Sequence, residues 1–290
     1  MSLPLFVEVL IQGMLTGLVY GLMALGLSVI FGVVRVVNFA HGEFAVLAMY
    51  AAFVLFGLFH LDPIIASIPI AAAFFVIGYL LQRAVVQPFV TRPQHEQFIL
   101  LVGLSIVIVN ALLLIFGPES RHVDLPYSFD SFSIGSILID EVRVYGALAA
   151  LAVTAVLFAF FRFTSTGVAI RAAADNLVGA AVVGLDVKRL YAISFGVGLA
   201  CVGAAGAIMM ALTDMTPMLA PSLTLLAFTI VIVGGLGSMV GALAGGLLIG
   251  VAEAAASALA SPSMKSMVSF GLLIVVLALR PQGLFGKAEA

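Results

Sequence analysis

A bundle of membrane-spanning α-helices is the fold class this sequence predicts: an all-α, polytopic architecture with about eight membrane segments. Three observations predict it. First, 63% of the residues are hydrophobic and 9% charged, with a mean hydropathy of +1.28. A water-soluble domain carries about 25% charged residues, and a soluble fold of this size could not hide so much apolar surface. The solvent is therefore lipid. Second, the apolar residues form long continuous runs rather than alternating. Only helices and closed barrels satisfy the backbone in lipid, and continuous runs select helices. Third, the runs are separated by short polar stretches with proline, glycine and charge. The net charge of −2 is too near neutral for a nucleic-acid partner. The single cysteine, Cys201, lies in an apolar run; it builds no disulfide framework and no metal cluster, and reads as a buried small hydrophobe. No Lys or Arg precedes Arg35, so no cleaved signal peptide is expected.

The first crossing runs from Leu5 to Val34 and carries Gly13, Gly17 and Gly21. Glycines four apart share a helix face and let a second backbone come close; the same face is also a candidate for lining a pathway. Arg35 interrupts, and a second crossing is expected over Val36 to Phe59, with Asn38, His41 and Glu43 in its first turns. Pro63 to Gln82 and Gln97 to Gly117 give the third and fourth, the latter containing Asn110. The loop Pro118–Glu141 holds Glu119, Asp124, Asp130, Asp140 and Glu141 against Arg121, a net of −4. Val142 to Phe161 is the fifth crossing and Leu190 to Leu212 the sixth. Ser222 to Ala260 is too long for one crossing and carries Gly234, Gly235 and Gly237. Leu223–Val233 alone is short of the roughly 20 residues a span needs. A broken hairpin is expected here, a short half-helix, a glycine turn and a longer return, although two tilted crossings fit as well. Met264 to Leu279 is the last crossing. Together these make one transmembrane domain, residues 1–290.

Orientation follows from the basic residues. Nine of the twelve, Arg35, Arg83, Arg92, Arg162, Arg171, Lys188, Arg189, Arg280 and Lys287, fall on one side, and only Arg121, Arg143 and Lys265 on the other. The positive-inside rule then puts the N-terminus outside and the C-terminus in the cytoplasm, with the acidic loop facing outward.

Enzyme signatures are missing: there is no H-E-x-x-H, G-x-S-x-G or phosphate-binding G-x-x-x-x-G-K-[ST] stretch. Any ATP that drives this chain is bound by another subunit. Few strongly polar residues lie inside the apolar runs: Glu8, Gln12, His41, Glu43, Asn110 and Glu253. Ionisable groups in lipid are costly and default to functional candidates. Glu8, near an end, can reach the interface. Asn38, His41 and Glu43 read either as a polar helix start, with Asn38 capping and Glu43 at the positive helix end, or as the polar element of a solute route. Glu253 fits an interhelical hydrogen bond or a pathway role. The stretch Phe163–Leu190 lacks a bilayer-length apolar run. In it, Thr164, Ser165 and Thr166 read as capping residues at the end of the fifth crossing. Asp175 caps a short helix over Asn176–Val183, and Gly184 stops it. Leu177, Ala181 and Val182 give that helix a small apolar face for the membrane surface or for a groove on a partner.

Three stretches then carry a family resemblance: GLVYGLMALGLSVIFGVVRVVNFAHGEF from Gly17, GVAIRAAADNLVGAAVVGLD from Gly167, and AFTIVIVGGLGSMVGALAGGLLIGVAEA from Ala227, followed by RPQGLFG at Arg280–Gly286. Across nearly its whole length the chain resembles the permease subunits of ABC importers for branched-chain amino acids, specifically the smaller of their two permease types. The resemblance implies a second homologous permease subunit, two cytoplasmic ATP-binding subunits, an extracytoplasmic solute-binding protein, and a place in the bacterial inner membrane. It implies that the Asp175–Gly184 helix is a coupling helix seated on an ATPase, with Arg171, Asp175, Asn176, Ala180 and Gly184 at matching family positions. It implies ATP-driven alternating access, with ATP used by the partner subunits and no cofactor held by this chain. The residues Ala172–Ala174 depart from the family pattern. The candidate solute pathway is Asn38, His41, Glu43 and Glu253. Related permeases carry urea and short amides, so the likeness leaves urea, an amide or another amino acid open as the solute. A stand-alone transporter or channel would need a repeated polar core, for which only Glu43 and Glu253 stand available.

Overall fold

The computed structural model describes residues 3–135 and 137–286. Lys287, counted above on the cytoplasmic side, lies outside the described residues. Among those described, nine helical segments are long and apolar enough to cross a membrane. They include α1 (Leu3–Val34), α2 (His41–Phe59), α3 (Pro63–Leu81) with a π-turn and a 3-10 turn extending it to Phe89, α4 (Gln94–Phe116) and α5 (Glu141–Phe163). Two short helices follow, α6 (Ser165–Asp175) and α7 (Leu177–Val182). The remaining spans are α8 (Val187–Leu212), α9 (Ala220–Gly234) with a 3-10 turn before it, α10 (Met239–Leu259), and α11 (Lys265–Leu279) with its own leading 3-10 turn.

The acidic loop contains more order than a polar linker. Strands β1 (Ser131–Ile134) and β2 (Ile137–Asp140) pair antiparallel, Ser131 opposite Asp140. The loop is tied to the bundle by Leu138 N, which donates to Glu8 Oε2 at 3.2 Å, and by the Tyr127 hydroxyl, which donates to Asp62 Oδ2. Arg121 and Met215 exchange two backbone hydrogen bonds of 3.0 and 2.9 Å.

Small residues decide which helices touch. Lipid offers no hydrophobic drive for helix association, so close backbone approach supplies it through dispersion. Gly13, Gly17 and Gly21 of α1 lie against α10: a Cβ on Gly17 would sit 2.7 Å from Gly246 O, and one on Gly250 would sit 2.5 Å from Gly13 O. The stripe is therefore a packing face. On α8, Gly198 meets Gly26 of α1 and Gly196 meets Gly78 of α3. Helices α1 and α8 form the buried centre, whereas little of α4 and α11 is buried.

Two spans begin inside the bundle, and here the sequence reading is corrected. The second crossing does not start at Val36. Arg35 adopts φ 60° and reverses the chain, residues 36–40 are non-helical, and α2 begins at His41. His41 Nε2 lies 2.9 Å from Met23 O. Met23 precedes the end of α1 by eleven residues, about 16 Å of helix. The stretch 36–40 thus climbs back along α1, with Val36, Asn38 and Ala40 buried. Asn38 is on this extended stretch, not on the helix. Its Oδ1 accepts from Ala40 N at 3.1 Å.

The glycine turn expected between a shorter helix and a longer return lies between α9 and α10, and with its leading 3-10 turn α9 is long enough to cross, as the alternative of two tilted crossings had it. The break expected at Gly234–Gly237 is a turn at the end of the bundle, where Gly237 lies against Gly32 and Gly235 against Gly286. Gly235 and Gly237 take φ 108° and 79°, which only glycine adopts without strain. Ser238 Oγ accepts from Gly241 N and caps α10. The tail continues the turn: Leu284 N and Phe285 N donate to Val233 O and Gly234 O, each at 2.9 Å, satisfying the last carbonyls of α9. The interrupted part is residues 213–219, which lead from the end of α8 down to Ala220 beside Gly42. It starts at the acidic loop, where Met215 pairs with Arg121, leaves Thr213, Asp214 and Met218 exposed, and buries Met215, Pro217 and Ala220.

Candidate functional site

The two interior helix starts meet. A Cβ on Gly42 would fall 2.2 Å from Ala220 O and 2.3 Å from Thr224 N, so the first turn of α2 touches the first turns of α9 backbone to backbone. Gly42 N donates to Thr224 Oγ1 at 2.8 Å. The same hydroxyl donates to Glu43 Oε2 at 2.8 Å. The other carboxylate oxygen, Oε1, accepts from Ser105 Oγ of α4 at 2.6 Å. Glu43 is 2% exposed, and no ion pair forms on it among the described residues. A buried carboxylate without a cation needs donors on both oxygens. Here it has two hydroxyls and the positive ends of two helices. Glu43 thereby joins α2, α4 and α9. Asn38 and His41 lie beside it in sequence, fully buried, and Asn38 Nδ2 and His41 Nδ1 have no hydrogen-bond partner. The arrangement gathers polar groups in the middle of an apolar bundle, where ionisable side chains are costly.

At the Arg35 end, α6 and α7 form the loop between α5 and α8. Thr164 Oγ1 accepts from Gly167 N, so it caps the start of α6 rather than closing α5 alone. The short helix is Leu177–Val182, and its cap is Asn176, whose Oδ1 accepts from Gly179 N at 2.8 Å. Asp175 instead ends α6 and lines a cavity of about 560 Å³ with Arg35, Gly237 and Pro281. Gly184 takes φ 85°. Its N–H and that of Leu185 reach Ala181 O and Ala180 O, the paired bonds of a Schellman ending. Leu177, Val178, Val182 and Val183 are exposed, while Ala180 is buried against the bundle and Arg171 is exposed.

Residues 9–277 match the family described as branched-chain amino acid transport system / permease component. The high-affinity branched-chain amino acid transport system permease protein LivH of Salmonella typhimurium LT2 is 32% identical over 98% of this chain and 96% of its own length. LivH of Escherichia coli K12 is 31% identical over the same shares. BraD of Pseudomonas aeruginosa PAO1 is 30% identical over 98% and 97%. The chain belongs to this family. The permease is thus a multi-pass membrane transport subunit. No solved structure matches it.

The permease does not bring Glu253 to the Glu43 cluster. Glu253 Oε1 accepts from Ser269 Oγ of α11 at 2.7 Å, and its neighbour Ala254 packs on Gly13. Gly13 and Met23 are ten residues apart on α1, about 15 Å along the axis. Asn110 only bonds back to Ile106 O within α4. Two residues of the cluster, Ser105 and Thr224, escaped the sequence reading, because serine and threonine in apolar helices commonly bond their own backbone. Ser194 and Thr229 of this permease do so.

Proposed function

We propose that the permease carries branched-chain, hydrophobic amino acids into the cytoplasm as a membrane subunit of an ABC importer working by alternating access. The observation that carries this reading is the buried Glu43 carboxylate at the meeting of two interrupted segments, in an otherwise apolar bundle. Such a site suits a small zwitterion with an apolar side chain. The names of the relatives support the solute class. In this reading a second homologous permease completes the pathway, and a solute-binding protein delivers the amino acid from outside. Two cytoplasmic ATP-binding subunits hydrolyse ATP, while this chain binds no nucleotide. The α6–α7 loop faces the cytoplasm of a bacterial inner membrane, with the N-terminus outside, and the exposed apolar face of α7 seats on an ATPase. ATP favours one conformation, and α7 transmits that preference to the helices. The test is uptake of radiolabelled leucine, urea and acetamide into proteoliposomes holding the assembled importer. Leucine uptake that vanishes when the ATPase nucleotide sites are disabled is the expected result. Uptake unaffected by that change, or uptake of urea in preference to leucine, overturns the reading.

A further inference from the structure

Directly beneath the Glu43 cluster lies a layer of three aromatic rings from the same parts of the chain. Phe39, Phe98 and Phe228 belong to the extended stretch before α2, to α4 and to α9. The Phe39 ring centroid is 4.6 Å from that of Phe98, edge to face, and 5.1 Å from that of Phe228. Each ring is offset from the polar group of its own segment toward the Arg35 end. Phe98 precedes Ser105 by seven residues on a helix that starts next to Arg92, about 10 Å. Phe228 follows Thr224 by one turn on a helix that runs to the Gly235 turn. Phe39 precedes Glu43 in the stretch that climbs from Arg35. A polar layer therefore sits on an aromatic layer.

Below the rings the structure opens. A half-open and almost wholly apolar cavity of about 400 Å³ is lined by Phe31, Phe39, Phe228, Ile232 and Leu236 and, from α11, by Phe270. Three of those, Phe31, Ile232 and Leu236, also line the 560 Å³ cavity that holds Arg35 and Asp175. The two cavities adjoin and lead from the rings to the end of the bundle that carries the α6–α7 loop.

We infer that Glu43, Ser105 and Thr224 form the site for the ammonium group of the carried amino acid, and that Phe39, Phe98 and Phe228 are its floor, closing the site from the two cavities that lead to the cytoplasm. This rests on the amino-acid reading given above and adds the atoms that hold the solute. In this conformation the two hydroxyl donors occupy the places an ammonium would take on the carboxylate. An ammonium, with three donors, replaces both and neutralises the buried charge. The aliphatic side chain of the solute then meets the rings, and on release passes into the apolar cavity. Phe98 is the movable part of the floor. Phe98 is itself 46% exposed and sits beside the cavities rather than in their walls, little of its helix is buried, and Ser105 is the side-chain bond of that helix to the carboxylate. Loss of that bond to an arriving ammonium frees α4, so solute binding and opening of the floor are linked.

Two variants in the assembled importer test this. Glu43→Gln keeps an acceptor oxygen for one of the two hydroxyls, turns the other oxygen into an amide donor and removes the charge. It should lower ATP-driven leucine uptake about tenfold or more, while binding-protein-stimulated ATP hydrolysis continues. It should also let 4-methylpentanoate, which lacks the ammonium, compete as well as leucine. Phe98→Ala opens the floor and should raise leak of leucine from loaded, ATP-free vesicles about tenfold. A second measurement needs no solute. Cys201 is the sole cysteine and is buried, so a Thr224→Cys thiol can be labelled alone. A membrane-impermeant maleimide from the cytoplasmic side should reach it only when Phe98→Ala is also present. Wild-type leucine uptake in the Glu43→Gln importer, or equal labelling with and without Phe98, overturns the inference. A wild-type importer that ignores leucine overturns the amino-acid reading, while the labelling result still decides the floor.

Discussion

Thr224 holds one hydroxyl in two roles, accepting from Gly42 N and donating to Glu43. Thr224→Val is nearly isosteric and removes both bonds. Leaving a buried donor and a buried carboxylate oxygen unpaired costs about 1–3 kcal/mol, so the variant should melt lower in detergent, while Thr224→Ser restores the wild-type midpoint. Gly42→Ala tests the close approach. Its Cβ would meet backbone atoms of Ala220 and Thr224 at 2.2 and 2.3 Å, which no rotamer change relieves. Overpacking of this kind costs about 1–3 kcal/mol or more. Gly57→Ala on the same helix, with nothing within 4 Å, should leave the melting midpoint unchanged. At this scale the sequence marked Asn38, His41 and Glu43 because charge and amide groups are conspicuous in apolar runs. It did not mark Ser105 and Thr224, since a hydroxyl's partner is invisible until the helices are packed. Glu253 was equally conspicuous, and its partner proved to be Ser269 on α11.

Elements show a different pattern of legibility. The short helix between α6 and α8 was expected from its cap and its terminal glycine, and it is present, shorter by one residue at each end and capped by Asn176 rather than Asp175. Neighbouring Asx residues are hard to rank from sequence because either can accept from the first turn. The structure favours Asn176 because α6 runs through Asp175. Asn176→Ala should cost about 1 kcal/mol of helix stability, read as faster hydrogen exchange over residues 177–183. Gly184→Ile places a β-branched side chain at φ 85°, a conformation that costs it about 1–3 kcal/mol. ATP hydrolysis by the assembled importer should then continue while uptake falls several-fold, with the permease still present in the membrane. The segment starts were not legible. Hydropathy weights Val36, Val37 and Phe39 identically in an extended chain and in a helix, so the run looked helical to Val36. The φ of Arg35 and the hydrogen bond from His41 to Met23 lie outside any local average.

For the molecule as a whole, the glycine faces set the arrangement. α1 packs on α10 through Gly13, Gly17 and Gly21, and on α8 through Gly26. Gly17→Leu would drive a side chain into Gly246 O and the Leu247 backbone. It should separate the two helices, lowering the melting midpoint and the yield of assembled importer. Gly271→Leu on exposed α11, with nothing within 4 Å, should assemble normally and serves as the control. The sequence by itself determined the membrane-helix class, the number and order of the segments, the turn glycines and the family, because hydropathy, propensity and motif are properties of neighbouring residues. Only the tertiary structure decided which polar groups meet. Glu43 finds Ser105 across 62 residues and Thr224 across 181, and those separations close only after backbones approach through their glycines. The packing carries Glu43 there because a lone carboxylate in lipid is stable only where other helices bring donors to both of its oxygens.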